Sequence, residues 1–279
     1  EGGTVNQWSE WELAHASELA HTAKKRLQHV ISDWDSIAAQ ATRPENYVSG
    51  RGVDHYRRYK TDFKIAKKLN FNAFRFSIEW SRLEPEEGVW DEEVVEHYRG
   101  YIRELRSQGL EPFLNLWHWT MPTWFVAKGE FKKGKNLKHW RRFVQKVADE
   151  YSEDLKYIIT LNEPNNYAVF GYLIAEWPPT QRSPLNFMRV YYNLVRAHRQ
   201  AYKIIHKVSP TIQVGLAPAM ANIQSKRTSN IVDMVATGVM RYGWNWWFVN
   251  RVKRQLDFVG FNYYFSDYYR AGVVDNPDA

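Results

Sequence analysis

Glu163 stands in the run Thr160-Leu161-Asn162-Glu163-Pro164, where an apolar stretch gives way to an amide, a carboxylate and a proline. Other apolar stretches end in comparable chemistry. One carries Arg75, Ser77 and Glu79, spaced by two and so expected on one face. A second ends Asn115-Leu116-Trp117-His118-Trp119, and another gives Gly260-Phe261-Asn262-Tyr263-Tyr264. Gly215-Leu216-Ala217-Pro218 ends a stretch with little chemistry. Asn and His both donate and accept hydrogen bonds, as sugar hydroxyls do. Trp and Tyr offer flat apolar faces to the C–H side of a pyranose. A carboxylic acid can protonate a glycosidic oxygen, although such chemistry needs a second carboxylate across the bond.

These groups share a rim only if short strands and helices alternate. The apolar runs Ala73–Ile78, Pro112–Trp117, Tyr157–Leu161, Ile212–Leu216 and Phe258–Phe261 read as strands. Between them lie helical periods at Asp54–Leu69, Glu92–Ser107, Leu137–Tyr151 and Phe187–Val208. The first sets Tyr56, Tyr59, Phe63, Ala66 and Leu69 on one face. Alternation of this kind predicts parallel pairing through right-handed crossovers. The strands recur about every 46 residues, so an eight-fold βα barrel needs roughly 370 residues, more than the 279 present. The expectation is a single α/β domain over residues 1–279, a TIM-type barrel with about five of its eight strands. Reactive groups of such a barrel sit where strands end. An open doubly wound sheet is the alternative, but no Gly-rich nucleotide turn or phosphate loop is present to support it.

Composition narrows the function classes. There is no cysteine, which excludes disulfides, thiolate metal sites and a Cys nucleophile. No apolar run approaches the length of a membrane helix, and residues 1–4 show no basic or apolar signal region. Together with the lack of an Asn-x-Ser/Thr sequon, this sets the expectation of a cytoplasmic protein with no membrane partner. The net charge of +7 and the 13 Trp raise the question of single-stranded nucleic acid. The basic residues fall mostly on helix faces, however, and are interrupted by runs such as Asp91-Glu92-Glu93, so a solvated surface and no nucleic-acid partner is expected.

Four motifs carry a resemblance. Asn72-Ala73-Phe74-Arg75-Phe76-Ser77-Ile78-Glu79-Trp80-Ser81-Arg82, Trp117-His118-Trp119, Thr160-Leu161-Asn162-Glu163-Pro164 and Phe258-Val259-Gly260-Phe261-Asn262-Tyr263-Tyr264 follow one another in the chain. They resemble the successive strand-end motifs of the family-one glycoside hydrolases, the β-glucosidase and β-galactosidase group. The resemblance implies a retaining exo-β-glycosidase that acts on β-glucosides or β-galactosides without metal or organic cofactor. It gives Glu163 the role of general acid/base. Asn162 would hold the sugar 2-hydroxyl and His118 the 3-hydroxyl, with Trp119 lining the same subsite, and Asn262, also in the substrate site, would orient the group that Arg75 and Tyr264 serve. Arg75 and Tyr264 would support the nucleophile carboxylate. Glu1-Gly2-Gly3 resembles the segment after the family's first strand.

The departures matter equally. The first strand and the last two, with the family's nucleophile motif, have no counterpart, and no Glu follows Glu176. The implied enzyme needs a complementary C-terminal segment or second chain, and these residues alone are expected to be inactive. The competing reading is a catalytically dead, carbohydrate-binding barrel remnant. Simpler roles also stand beside the catalytic ones. Glu163 could merely begin a helix, Arg75 could pair with Glu79, and Tyr263 and Tyr264 could be core. Trp244, Trp246 and Trp247 read as packing. Glu79 could come near Glu163 as a substitute nucleophile, but Arg75 and Arg82 lie close in sequence as ion partners and the family places its nucleophile elsewhere, so it is not expected to serve.

Overall fold

The computed structural model describes residues 3–28, 31–270 and 273–275. Five strands form one parallel sheet in the order β1 (Ala73–Ser77), β2 (Glu111–Asn115), β3 (Tyr157–Asn162), β4 (Gln213–Ala217) and β6 (Phe258–Val259). The β1–β2 register pairs Phe74 with Pro112 and Ser77 with Asn115. Between β3 and β4 the register shifts, so that Ile159 faces Gly215 while Asn162 faces Ala217. One extra residue on β3 is a bulge, which re-aims the side chains after it.

Helices run between the strands. Glu92–Ser107 begins after Asp91, whose carboxylate accepts from Glu93 N at 3.0 Å and Val94 N at 3.1 Å. That cap satisfies donors the helix itself leaves open. Its buried residues Val95, Tyr98, Tyr101, Ile102 and Leu105 fall at helical spacing and join the core beneath β1 and β2. Leu137–Tyr151 buries Trp140, Phe143, Val144, Val147 and Tyr151 in the same cluster. The helix expected from Phe187 starts earlier, at Pro184, because Ser183 caps it and proline suits the first turn.

Two expectations need correction. Leu69 is not on the buried face of His55–Lys68: it is the C-cap residue, already off the helical spiral, and is 61% exposed. Phe258–Phe261 is not one strand. Pairing with β4 stops at Val259, and the chain resumes as β7 (Asn262–Arg270), which pairs in parallel with β5 (Ala219–Ser225). Pro218, which has no N–H, separates β4 from β5, and Gly260 and Phe261 separate β6 from β7. Antiparallel β8 (Val273–Asp275) completes this second, three-stranded sheet beyond the C-terminal ends of β4 and β6.

Candidate active site

The C-terminal ends of β1, β3 and the β6–β7 junction bring Arg75, Asn162, Glu163, Asn262 and Tyr264 together. Asn162 is fully buried, and its Oδ1 accepts from the Arg75 guanidinium and, at 2.9 Å, from Asn262 Nδ2. The same Asn262 amide donates to Glu163 Oε1 at 2.6 Å, while Asn262 Oδ1 accepts from Arg75 at 3.3 Å. Tyr264 donates to Glu163 Oε1 at 3.3 Å. Asn162 Nδ2 is buried and has no protein partner. A buried donor left open is costly, so this amide is a point of local instability at the strand end.

Glu163 takes the N-cap position of the helix Pro164–Val169, yet its side chain makes no cap hydrogen bond. Helix initiation therefore does not account for this carboxylate. Its backbone is left-handed, φ 43°, which is uncommon and costly for a residue with a Cβ. The Glu163 N–H donates to Ala217 O at 2.7 Å, so β4, with little chemistry of its own, anchors the turn. Only 3% of Glu163 is exposed.

Sequence reasoning missed Asn166. Its Nδ2 donates to Glu163 Oε2 at 2.8 Å. The available signal was its spacing, since a residue three along sits over the first turn of the helix.

His118 and Trp119 occupy the adjoining loop after β2. Trp119 Nε1 donates to the Asn162 carbonyl at 3.0 Å, and its left-handed backbone, φ 75°, is held by Gln7, whose Nε2 donates to Trp119 O at 2.6 Å. Trp8 stacks on Trp119 with ring centres 5.8 Å apart, and Trp177 packs against it at 4.6 Å. Gln7, Trp8 and Trp177 also escaped the sequence reading, because no local pattern links three segments so far apart. The His118 ring meets Trp119 edge-on at 4.9 Å. His118 is exposed at the cleft, with protein crowding one side of its ring. Desolvation on that side, followed by the nearby Arg75 charge, holds its pKa down at about 4, so the ring is neutral at pH 7. A neutral imidazole both donates and accepts, as a hydroxyl partner requires. A cleft of 840 Å³ opens beside His118 and Trp119, with Trp8 on its wall.

The alternative roles are also decided. Arg75 does not pair with Glu79; it turns to the two amides. The Glu79 carboxylate accepts from Ser81 Oγ at 2.5 Å and Thr120 Oγ1 at 2.7 Å and begins a short helix, so it does not lie in β1 with Arg75 and Ser77. Tyr263 and Tyr264 are exposed rather than core. Trp247 does pack, stacking on Tyr191 at 4.6 Å, whereas Trp246 is 45% exposed. Of Glu1-Gly2-Gly3, the first two lie outside the described residues. Among the described residues no group of three or more metal-ligating side chains occurs, and no helix is long and apolar enough to cross a membrane.

Comparison with known proteins places this geometry. The model of Glycosyl hydrolase family 1 matches residues 11–254. Beta-glucosidase A of Thermotoga maritima is 31% identical over 208 residues, which cover 74% of this chain and 47% of that protein. A protein of Arabidopsis thaliana described as probable inactive beta-glucosidase 25 is 34% identical over 195 residues, covering 63% and 36%. The solved structure of a beta-glycosidase from Pyrococcus horikoshii superimposes with a TM-score of 0.75 at 33% identity, covering 81% of this chain and 57% of that one. The chain thus spans between 36% and 57% of the relatives' lengths. Its five-stranded sheet is an incomplete α/β barrel.

Proposed function

This chain belongs to glycosyl hydrolase family 1, and on that premise we propose that residues 1–279 are the acid/base-bearing piece of one retaining β-glycosidase barrel. The observation that carries the reading is the setting of Glu163. Its carboxylate lies at a strand end, held on both oxygens by the neutral donors Asn166, Asn262 and Tyr264, beside an amide donor with no partner. That arrangement orients the carboxylate at the rim with no direct ion pair among the described residues, which supports a role in chemistry over one in packing.

In the proposed reaction, Glu163 delivers its proton to the glycosidic oxygen as the bond to the anomeric carbon breaks. A carboxylate on a segment outside this chain attacks the anomeric carbon, about 5–5.5 Å from the acid in retaining enzymes. Glu163, now ionised, removes a proton from water, and the water oxygen displaces the enzyme carboxylate. Asn162 and His118 hold ring hydroxyls, Trp119 lines the sugar, and Asn262 orients the acid. Arg75 and Tyr264 are assigned to support the incoming carboxylate, exchanging their present bonds to Asn162, Asn262 and Glu163. β-Glucosides and β-galactosides are the proposed substrates, and no cofactor takes part. Glu79 is not assigned as the substitute nucleophile, since its side chain caps the helix Trp80–Leu83 and turns to Ser81 and Thr120, away from the Glu163 cluster.

The second reading is a carbohydrate-binding remnant without turnover; the probable inactive relative keeps it in view. The test compares this chain alone with the chain plus a polypeptide carrying the remaining strands. Turnover is expected only in the mixture. There, Glu163→Ala should slow glycosides with poor leaving groups far more than those with good ones, because only the former need protonation. Equal slowing across leaving groups would remove Glu163 from the acid/base role, and no turnover in any mixture would favour the remnant.

A further inference from the structure

Behind the rim lies a second carboxylate that the proposed reaction does not use. Glu130 is 1% exposed and follows Gly129 in the loop after β2. Tyr167 donates to its Oε2 at 2.9 Å, and the Tyr172 hydroxyl donates to its Oε1. Lys132 Nζ lies 3.5 Å from Oε1 and reaches Gln181 Oε1 at 3.3 Å. Burial pushes the Glu130 carboxyl up, opposed by Tyr172, Lys132 and Tyr167.

The backbone at Glu130 is left-handed, φ 42°, a conformation that glycine adopts freely and glutamate does not. A strained, buried acid is thus kept where glycine would fit, and what it holds is the segment after Glu163. Tyr167 is four residues beyond Glu163, and its N–H donates to the Glu163 carbonyl at 3.1 Å. Tyr172 lies in the following turn, Phe170–Ile174. The Tyr167 ring also packs edge-on against Trp117 at 4.8 Å, next to His118.

We propose that Glu130 is a positioning residue: its buried carboxylate clamps the segment 164–174 through Tyr167 and Tyr172 and thereby fixes the left-handed turn that aims Glu163. The clamp acts on backbone placement, and only its consequence for ligand affinity rests on the acid/base reading of Glu163.

Glu130→Gly tests it, because glycine relieves the backbone strain while leaving both phenols without their acceptor. Hydrogen exchange on the whole chain should show amides of 164–174 exchanging at least about tenfold faster. Exchange in Leu137–Tyr151 should change far less than in 164–174, whatever the shift in Tm, because the relieved backbone strain and the two orphaned phenols act in opposite directions on global stability. Glu130→Gln, which restores one acceptor oxygen, should fall between. The Kd for deoxynojirimycin, a cationic sugar mimic that Glu163 would attract, should weaken at least about fivefold in Glu130→Gly and partly recover in Glu130→Gln. Unaltered exchange in 164–174 overturns the clamp, as does exchange that quickens equally in every helix. Faster local exchange with an unchanged Kd overturns the link to Glu163. If the wild-type chain does not bind deoxynojirimycin, the sugar-site reading fails and the exchange result alone decides the clamp.

Discussion

Truncating Asn162 to alanine should separate ligand affinity from stability. The side chain is fully buried, so an ordinary expectation would be destabilisation. Here two effects oppose each other. The Nδ2 group has no partner, and removing such a donor relieves about 1–3 kcal/mol. Loss of Oδ1 takes an acceptor from Arg75 and Asn262, but Asn262 keeps its 2.6 Å bond to Glu163 and Arg75 opens to solvent. That loss amounts to about 1.5–3 kcal/mol, because the Arg75 donor is charged. The sum is near zero, so Tm should move by no more than about 2–4 °C. Affinity should behave differently if ligand binding uncovers Nδ2, since a hydroxyl placed on it would satisfy the open donor. If that hydroxyl is the 2-hydroxyl, deoxynojirimycin should bind wild type about 5- to 150-fold more tightly than fagomine, the same ring without it, which corresponds to about 1–3 kcal/mol. Calorimetry on both ligands and both proteins forms a double cycle, and the preference should vanish in Asn162→Ala. A preference that survives the truncation, or a Tm drop above about 10 °C, would refute the reasoning.

Two further outcomes concern stability. His198 is fully buried between Thr160 Oγ1 at 2.6 Å and Gln255 O at 2.7 Å, and burial lowers its pKa from 6.5 to about 4. Between these values the unfolded chain binds the proton and the folded chain does not. Stability is therefore full above pH 6.5 and falls as the pH drops toward 4, by at most roughly 1.4 kcal/mol per unit. Denaturant melts of wild type and His198→Gln across this range should show a shallower slope in the variant, and equal slopes would exclude His198 as the source. At Gly215, an added Cβ would meet the Phe258 ring at 2.5 Å, so Gly215→Ala should cost about 1–3 kcal/mol and loosen β6. Unchanged denaturation midpoints and unchanged exchange in β6 would show that the ring moves aside freely.

Much of the molecule was legible in the sequence because the information is local. The periods of Glu92–Ser107 and Leu137–Tyr151 match helices with those bounds, since an amphipathic face repeats every three to four residues. Each strand of the parallel sheet was anticipated to within two residues at either end, as a short apolar run closed by polar or aromatic residues. The family was also visible, because its four motifs are contiguous. What tertiary structure decided depends on distance and backbone angle. Asn166 reaches Glu163 and Glu79 turns to Thr120 only once their loops are placed. The change of partner from β6 to β7 follows from where Pro218 interrupts a neighbouring strand, which no period records. Glu130 reads in sequence as one more acid in a lysine-rich loop. Burial on two phenols from another segment, at a backbone angle glycine prefers, gives it a different standing. Composition fixes which groups are present, whereas the desolvation and pairing that set their chemistry arise only when residues separated by dozens of positions share one dry space.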